Sequence, residues 1–259
     1  MGTLGRFGDV EVTVDDEFVA TVEIQRPPDN FFDTALIGAL ADAYAAIDAD
    51  PACRAILLCS QGRHFCAGAN FHGPADSPAP GAPHLYDEAV RMFSGLTPVV
   101  AAVQGAAIGG GLGVAMSADF RVAAPEARMS ANFARLGFHH GFGLSATLAP
   151  VVGQQRALEL LYTGKRLTGD EAGAIGLVDR VVPLDRVRAE AHAFAADIAA
   201  SAPLAVASIR VTMRGALPDA IRAATDREKA EQDWLRKTSD FKEGVKAMGE
   251  RRPARFSGS

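Results

Sequence analysis

Features that mark secreted, disulfide-bonded or nucleic-acid-binding proteins are scarce in this sequence. The 259 residues include only three cysteines, an odd number without metal-binding spacing, at Cys53, Cys59 and Cys66. Free thiols of this kind predict a reducing compartment and no metal site. The first ten residues contain no apolar signal core, so we expect a cytoplasmic protein. The formal net charge of −5 disfavours nucleic acid as a partner.

Charge is also missing from one long internal run. Residues 92–118 contain no Asp, Glu, Lys or Arg, which raises the question of a membrane span. Pro98, Gln104 and several glycines interrupt the run, and no cluster of positive charge flanks it. We therefore expect no membrane interaction. The hydrophobic fraction of 48% is ample for the core of a globular protein.

A glycine triplet lies at the centre of this run. Gly109, Gly110 and Gly111 follow the apolar residues 99–103 and precede a short apolar segment, a pattern that predicts strand, tight turn and short helix. The unpaired N–H groups at such a helix start suit a phosphate, a carboxylate or an oxyanion formed during a reaction. A glycine-rich packing turn is one alternative. A dinucleotide-binding turn is the other, but the glycines lie deep in the chain and the third is wrongly spaced.

Strands and helices alternate through the first half of the chain. Strands are predicted over residues 10–14, 18–24, 55–59, 99–103 and 120–123. A hairpin is expected between the first two, and Asp33 predicts the cap of a helix that runs to about residue 49. Because the later strands are apolar without alternation, we expect an α/β fold with a mostly parallel sheet covered by helices.

The second half of the chain is mainly helical. Thr168 with Glu171 predicts a capping box for a short helix, and Asp240 with Glu243 predicts another near the C-terminus. A last short strand is expected over residues 178–182.

Four stretches, taken in order, resemble the motifs of one enzyme family. Residues 65–70, FCAGAN, resemble an F-x-A-G-A-D loop, and residues 98–111 resemble P-V-x-A-A-V-x-G-x-A-x-G-G-G. Residues 152–178 resemble V-G-x-x-R-A-x-E-L-L-x-T-G followed by A-x-x-x-G-L-V, and residues 240–244 resemble S-x-D-F-x-E-G. Over about residues 24–256 the chain is thus similar to the crotonase family, also called the enoyl-CoA hydratase/isomerase family.

This resemblance implies a crotonase-like α/β fold and an assembly. Residues 1–200 would form a spiral of repeated ββα turns that carries the acyl-CoA site. Residues 201–259 would form a helical region that assembles into a homotrimer or a dimer of trimers.

The resemblance also implies an acyl-CoA thioester as the substrate, with coenzyme A as part of it and no separate cofactor. By motif position, the thioester oxygen would lie between the backbone N–H groups of Ala69 and Gly110, which would stabilise the charge of an enolate. The small residues Ala67, Gly68 and Gly109 would contact the substrate beside them.

Two basic positions are candidates for holding the coenzyme A moiety. His72 falls near the first motif, where some family members carry Lys, and Arg251 falls near the C-terminus, where a basic residue can reach a phosphate. Arginine pairs well with phosphate. A solvated surface charge is the alternative at both positions.

Two other positions depart from the hydratase pattern. Hydratases carry one glutamate three residues after the central glycine of the triplet and another twenty residues further on. These positions are Gly113 and Phe133 in this chain. Neither side chain can transfer a proton, so we expect ligand binding without efficient hydration.

His139 and His140 are the candidate replacements for the missing acid and base. They precede Gly141, in a turn that the family places against the acyl chain, and histidine titrates near neutral pH. Packing or helix capping is the alternative for each ring. Asn132, beside Phe133, is a candidate for orienting a carbonyl or a water, or for bonding only to backbone.

The sequence leaves two classes of function open. One is an enzyme of the hydratase/isomerase kind, a lyase or an isomerase of fatty acid metabolism, that stabilises a CoA-thioester enolate. A decarboxylase or hydrolase that uses His139 and His140 belongs to this class. The other is an acyl-CoA-binding protein that has kept the fold and lost the chemistry.

Overall fold

Two sheets and a set of covering helices make up the computed structural model, which describes residues 2–71, 81 and 83–259. The strands are β1 (Gly2–Phe7), β2 (Val10–Val14), β3 (Val19–Ile24), β4 (Ala55–Ser60), β5 (Val99–Val103), β6 (Ala106–Ile108), β7 (Phe120–Ala123), β8 (Arg128–Ser130), β9 (Leu167–Thr168) and β10 (Arg180–Val181). The helices are α1 (Thr34–Asp48), α2 (Leu85–Phe93), α3 (Gly110–Ser117), α4 (Leu144–Val152), α5 (Gln154–Thr163), α6 (Gly169–Ala174), α7 (Val187–Ala199), α8 (Pro203–Arg214), α9 (Leu217–Leu235) and α10 (Ser239–Gly249). Residues Asn132–Leu136 and Leu184–Arg186 form 3-10 helices.

The larger sheet has the strand order β1-β2-β3-β4-β5-β7-β10. β1, β2 and β3 pair antiparallel, and every pairing from β3 to β10 is parallel. β4 and β5 are buried along their whole length. Strands covered on both faces need apolar side chains at every position, which explains the lack of alternation in their sequences.

The smaller sheet has the strand order β6-β8-β9. Together with the larger sheet it forms a repeated unit of two strands and a helix. The chain runs from β5 in the large sheet to β6 in the small sheet and then into α3. It repeats this path from β7 through β8 into the first 3-10 helix. An isolated bridge between Cys66 and Ala107 extends the pattern to the segment after β4. This is the ββα repetition expected from the resemblance.

Two apolar cores lie on opposite faces of the large sheet. The larger core packs α1, α2, α3 and α4 against one face and extends to the glycine triplet. The smaller core packs α7 against the other face, through Val187, Ala191, Ala195 and Ala199. The larger core therefore supports the candidate site.

Most of the predicted N-terminal elements are confirmed. β2 and β3 form the expected hairpin, and the Asp33 carboxylate accepts a hydrogen bond from the Leu36 N–H at 2.8 Å, which caps α1. β1 and α2 were not predicted. α2 is capped by His84 and Asp87, and a histidine cap gives only a weak sequence signal.

One of the two predicted capping boxes is correct. Thr168 and Glu171 exchange the expected hydrogen bonds at the start of α6. The box predicted at Asp240 is wrong, because Thr238 caps α10 by accepting from the Phe241 N–H. The Asp240 carboxylate instead accepts hydrogen bonds from the tail, at the N–H groups of residues 257 and 258.

Helix α8 has no buried residue. Its most exposed apolar side chains are Leu204, Ile209, Val211 and Met213. Among the described residues no single helix meets the length and hydropathy of a membrane span, although the segments 184–199 and 203–235 do so jointly across a bend of 104°.

Candidate active site

The predicted strand, turn and helix are present at the glycine triplet. β6 ends at Ile108, Gly109 adopts a φ of 58°, and α3 begins at Gly110. The Gly109 N–H donates to the Ser130 carbonyl oxygen at 2.8 Å, and the Gly109 carbonyl oxygen accepts from the N–H of Leu112 at 3.1 Å. Within the part of the chain that the structure describes, the Gly110 N–H has no hydrogen-bond acceptor. It is an unused donor at a helix start.

The segment after β4 lies against this turn. Cys66 pairs with β6 on both sides, since its N–H donates to the Ala106 carbonyl at 2.9 Å and its carbonyl accepts from the Ile108 N–H at 3.1 Å. A side chain at Gly68 would place its Cβ 2.9 Å from the Ile108 oxygen, so the close approach requires glycine. The Ala69 N–H, like that of Gly110, has no acceptor among the described residues.

Both unused donors border one pocket of about 1040 Å³. Aromatic side chains form much of its wall, namely Phe31, Phe32, Phe71, Phe133, Phe138, Phe142 and Phe241. The polar side chains of its wall are Arg26, Asp33, Thr34, Asn70, His84, Tyr86, Asn132, Lys229, Gln232, Asp233 and Arg236. The pocket thus combines backbone donors with a largely apolar lining, which is typical of a small-molecule site.

Seven of the residues predicted from sequence line this pocket. They are Ala67, Gly68, Ala69, Gly109, Gly110, Asn132 and Phe133. The lining drawn from the described residues does not include Gly141, His139, His140 or Arg251. His72 lies outside the described residues. The structure therefore brings together the two motif loops but not the predicted histidine pair.

Aromatic rings fill the space at the two positions that the resemblance assigns to glutamates. A Cβ at Gly113 would lie 2.6 Å from both Cβ and Cδ1 of Phe142. Phe142 is buried, with φ at 62°, and its ring packs edge-on against Phe32 at 5.6 Å between centroids. Phe133 is 7% exposed and packs against Phe138. No room remains beside Gly113 for a carboxylate in this packing.

His139 and His140 form a separate network. Their rings stack at 4.1 Å, and His140 Nε2 lies 2.7 Å from Ser145 Oγ. Burial, with a smaller effect of the neighbouring His139, lowers the pKa of His140 to about 4. The Glu228 carboxylate, 4.0 Å away, would favour the charged ring, but Ser145 Oγ takes the hydrogen-bonding position between them. The geometry therefore gives no support to the predicted acid–base role near neutral pH.

Glu228 holds the turn that follows the histidine pair. It is a fully buried residue of α9, and its carboxylate accepts from the Gly143 N–H at 2.8 Å and the Ser145 N–H at 3.0 Å. Burial raises the pKa of this carboxyl despite these hydrogen bonds. The three contacts, including Ser145 Oγ, fix the start of α4 and the turn that precedes it.

Tyr86 and Gln232 in the wall were missed by sequence reasoning, and His84 contacts Tyr86 beside them. Tyr86 donates from its hydroxyl to Gln232 Oε1 at 3.0 Å, and burial raises the pKa of its phenol. His84 Nδ1 accepts from the Tyr86 N–H at 3.1 Å, so the neutral ring carries its hydrogen on Nε2. Burial lowers the pKa of His84. The capping pattern at His84 was the available signal.

A charged rim on α9 was also missed. Lys229, Asp233 and Arg236 are exposed and border the pocket, at a spacing that places them on one helix face. Arg236 also donates to Gln232 Oε1 at 3.2 Å. Arg251 is exposed and lies outside this lining. The cations that border the pocket are therefore Lys229 and Arg236 on the rim, and not the predicted Arg251.

One group of metal-ligand side chains occurs among the described residues. Asp15, Glu17 and His192 offer ligand atoms within 4.8 Å of one another. His192 Nε2 lies 2.6 Å from an Asp15 oxygen, while Asp15 also accepts from the N–H groups of residues 17 and 19. These contacts serve the β2–β3 turn, and none of the three residues lines the pocket.

Comparisons with known proteins show the family and agree with the fold. The family model described as "Enoyl-CoA hydratase/isomerase" matches residues 15–259. A "Putative enoyl-CoA hydratase" of Thermus thermophilus is 35% identical over 84% of this chain and 88% of the relative, and a "Crotonyl-CoA hydratase" of Syntrophomonas wolfei is 32% identical over 93% and 95%. The crystal structure of an enoyl-CoA hydratase/isomerase from Pseudoalteromonas atlantica has a TM-score of 0.86 at 30% identity and covers 96% of this chain and 100% of that one. The chain therefore belongs to the enoyl-CoA hydratase/isomerase family, the crotonases.

Proposed function

We propose that this protein binds an acyl-CoA thioester with the carbonyl oxygen between the N–H groups of Ala69 and Gly110. The observation that carries this proposal is the pair of unused backbone donors on one mostly apolar pocket. Negative charge develops on that oxygen when an enolate forms. One preorganised donor of this kind stabilises a transition state by roughly 3–4 kcal/mol, and the Gly110 donor also has the positive end of α3 behind it.

The proposed reaction is one that uses the enolate without an activated water. The acidic side chains of the pocket wall are engaged elsewhere or lie at the rim. Asp33 caps α1 and pairs with Arg26 at 2.8 Å, and Asp233 is exposed on α9. Phe142 also occupies the space that a side chain at Gly113 would need, so no base can be placed there to activate a water. Isomerisation or decarboxylation of a CoA thioester fits this environment better than hydration.

Proton transfer is assigned to groups on the pocket rather than to the histidine pair. His84 and Tyr86 are the titratable groups of the wall that lie on α2 or at its cap. The neutral His84 ring presents an Nε2–H, and the Tyr86 phenol stays protonated at neutral pH. Asn132 supplies an amide next to the turn, where its Oδ1 lies 3.3 Å from the place of a Cβ on Gly109.

The coenzyme A moiety would extend across the rim formed by Lys229 and Arg236. Both cations are exposed at the pocket, as a phosphate or pyrophosphate group requires. Contacts from His72 and Arg251 stay predictions. The exposed apolar side chains of α8 support the expected assembly into trimers, because contact with another copy would remove apolar surface from water. A cytoplasmic location stays the expectation from the sequence.

Ligand binding tests this proposal. Acetyl-CoA or crotonyl-CoA at about one hundred times its Kd should raise the melting temperature by roughly 5–10 °C, through linkage of binding to folding. NAD at the same concentration should leave it unchanged. Calorimetry that shows binding of NAD and none of either thioester would overturn the proposal.

Turnover separates the enzyme from a protein that only binds. A set of CoA thioesters, including branched, unsaturated and carboxylated acyl groups, is incubated with the protein and analysed by mass spectrometry. The enzyme proposal expects conversion of at least one thioester at a rate that depends on enzyme concentration. Binding throughout the set with no conversion would support the non-catalytic alternative.

A further inference from the structure

The side chains that touch the glycine turn are mainly aromatic. A Cβ on Gly110 would lie 2.3 Å from Phe32 Cζ, and a Cβ on Gly109 would lie 3.7 Å from Phe133 Cζ. One phenylalanine ring therefore lies next to Gly110 and another next to Gly109. An acyl group whose carbonyl is held at this turn must extend along one or both rings.

A second layer of rings lies behind Phe133. Phe138 packs against Phe133 with centroids 5.3 Å apart and planes at 60°, and against Phe241 at 5.1 Å and 72°. Phe71 meets Phe138 at 6.3 Å and 85°. These rings come from three separate parts of the chain, and all four line the pocket. Their edge-to-face geometry is the one that aromatic rings prefer.

Among the described residues, the inner wall offers no free cation for an acidic acyl group. Arg26 is the cation of the wall on the α1 side, and it is bound to both Asp9 and Asp33. Lys229 and Arg236 are exposed at the rim. A carboxylate on the acyl group would therefore lose water next to Phe32 or Phe133 without gaining a cationic partner among the described residues.

We propose that the preferred acyl group is aromatic. It would be a phenylacetyl-like group that inserts its ring between Phe32 and the cluster of Phe71, Phe133, Phe138 and Phe241. This inference rests on the proposed function, since it assumes that the thioester carbonyl lies at Ala69 and Gly110. A ligand ring meets the surrounding rings edge to face and gains quadrupole attraction in addition to the burial of apolar surface. A saturated ring of similar size gains only the burial.

Matched ligands test the aromatic preference. Calorimetry measures binding of phenylacetyl-CoA, cyclohexylacetyl-CoA and acetyl-CoA to the wild-type protein. We expect phenylacetyl-CoA to bind about threefold to tenfold more tightly than cyclohexylacetyl-CoA. Equal or tighter binding of cyclohexylacetyl-CoA, with acetyl-CoA still bound, would overturn the aromatic preference and leave the proposed function standing. If no thioester binds, the proposed function fails and this inference fails with it.

Two variants locate the preference. Phe133→Leu should reduce the ratio of the two affinities to near one, and Phe32→Leu, at a half-buried position, provides the same test if the first variant does not fold. Phe194→Leu is the control, because that ring pairs with Phe120 in the smaller core and does not line the pocket. An unchanged ratio in both folded pocket variants would contradict the inference.

Discussion

Replacing Gly110 by valine is expected to weaken acyl-CoA binding or turnover at least tenfold while the protein still folds. The new Cβ would begin 2.3 Å from Phe32 Cζ and 2.4 Å from Phe32 Cε1, so the ring must move. Because Phe32 lines the pocket, its displacement narrows the space beside the N–H donor. The loss of one well-aligned oxyanion donor alone accounts for roughly a hundredfold in rate. Titration calorimetry measures the affinity for acyl-CoA, and circular dichroism measures whether the variant folds.

Two controls assign the loss at Gly110 to this geometry. Gly38→Val places the same side chain on helix α1, where its Cβ makes ordinary contacts of 3.5 Å with Glu88, and binding should not change. Combining Gly110→Ala with Phe32→Ala removes the clash and should restore binding relative to Gly110→Ala alone. Full binding and turnover in folded Gly110→Val would remove the turn from the site.

Placing glutamate at Gly113 is expected to lower the free energy of unfolding by about 3 kcal/mol. The side chain would start 2.6 Å from Phe142 and would bury a carboxyl in an apolar environment. Chemical denaturation of wild type and variant gives the difference. The same substitution would be tolerated if the position still had the space of a hydratase glutamate.

A double-mutant cycle with Phe142→Gly identifies the cause of that destabilisation. Removing the ring frees the space beside Gly113, and glycine accommodates the φ of 62° at residue 142. Gly113→Glu should then cost at least about 1 kcal/mol less in the Phe142→Gly background than in wild type. Equal costs in both backgrounds would show that Phe142 is not what excludes a side chain at Gly113.

Local sequence signals were sufficient to predict the elements that build the site. The apolar run, the glycine triplet and the following apolar segment each act within a few residues, and the strand, turn and helix are where they were expected. The hairpin and the cap at Asp33 are local in the same way. The first two motifs predicted the two loops that border the pocket.

Contacts between distant residues decided what the sequence could not predict. The turn after the histidine pair is held by Glu228, which reaches the start of α4 from a helix far along the chain. The Asp240 carboxylate is occupied by the C-terminal tail, and Thr238 serves as the cap in its place. Phe142 contacts Gly113 from the turn that precedes α4. The sequence around either residue therefore does not predict that the space beside Gly113 is filled.

We expect the chain to bind an acyl-CoA thioester but to lack the groups that activate water. Hydration of crotonyl-CoA by the wild-type protein, followed by loss of the enoyl absorbance, tests it most directly. Binding of crotonyl-CoA is measured in the same preparation, and an active hydratase serves as the reference. We expect saturable binding with a hydration rate at least about 10⁴-fold below the reference, since glycine and phenylalanine at positions 113 and 133 cannot transfer a proton. Hydration within tenfold of the reference would contradict it.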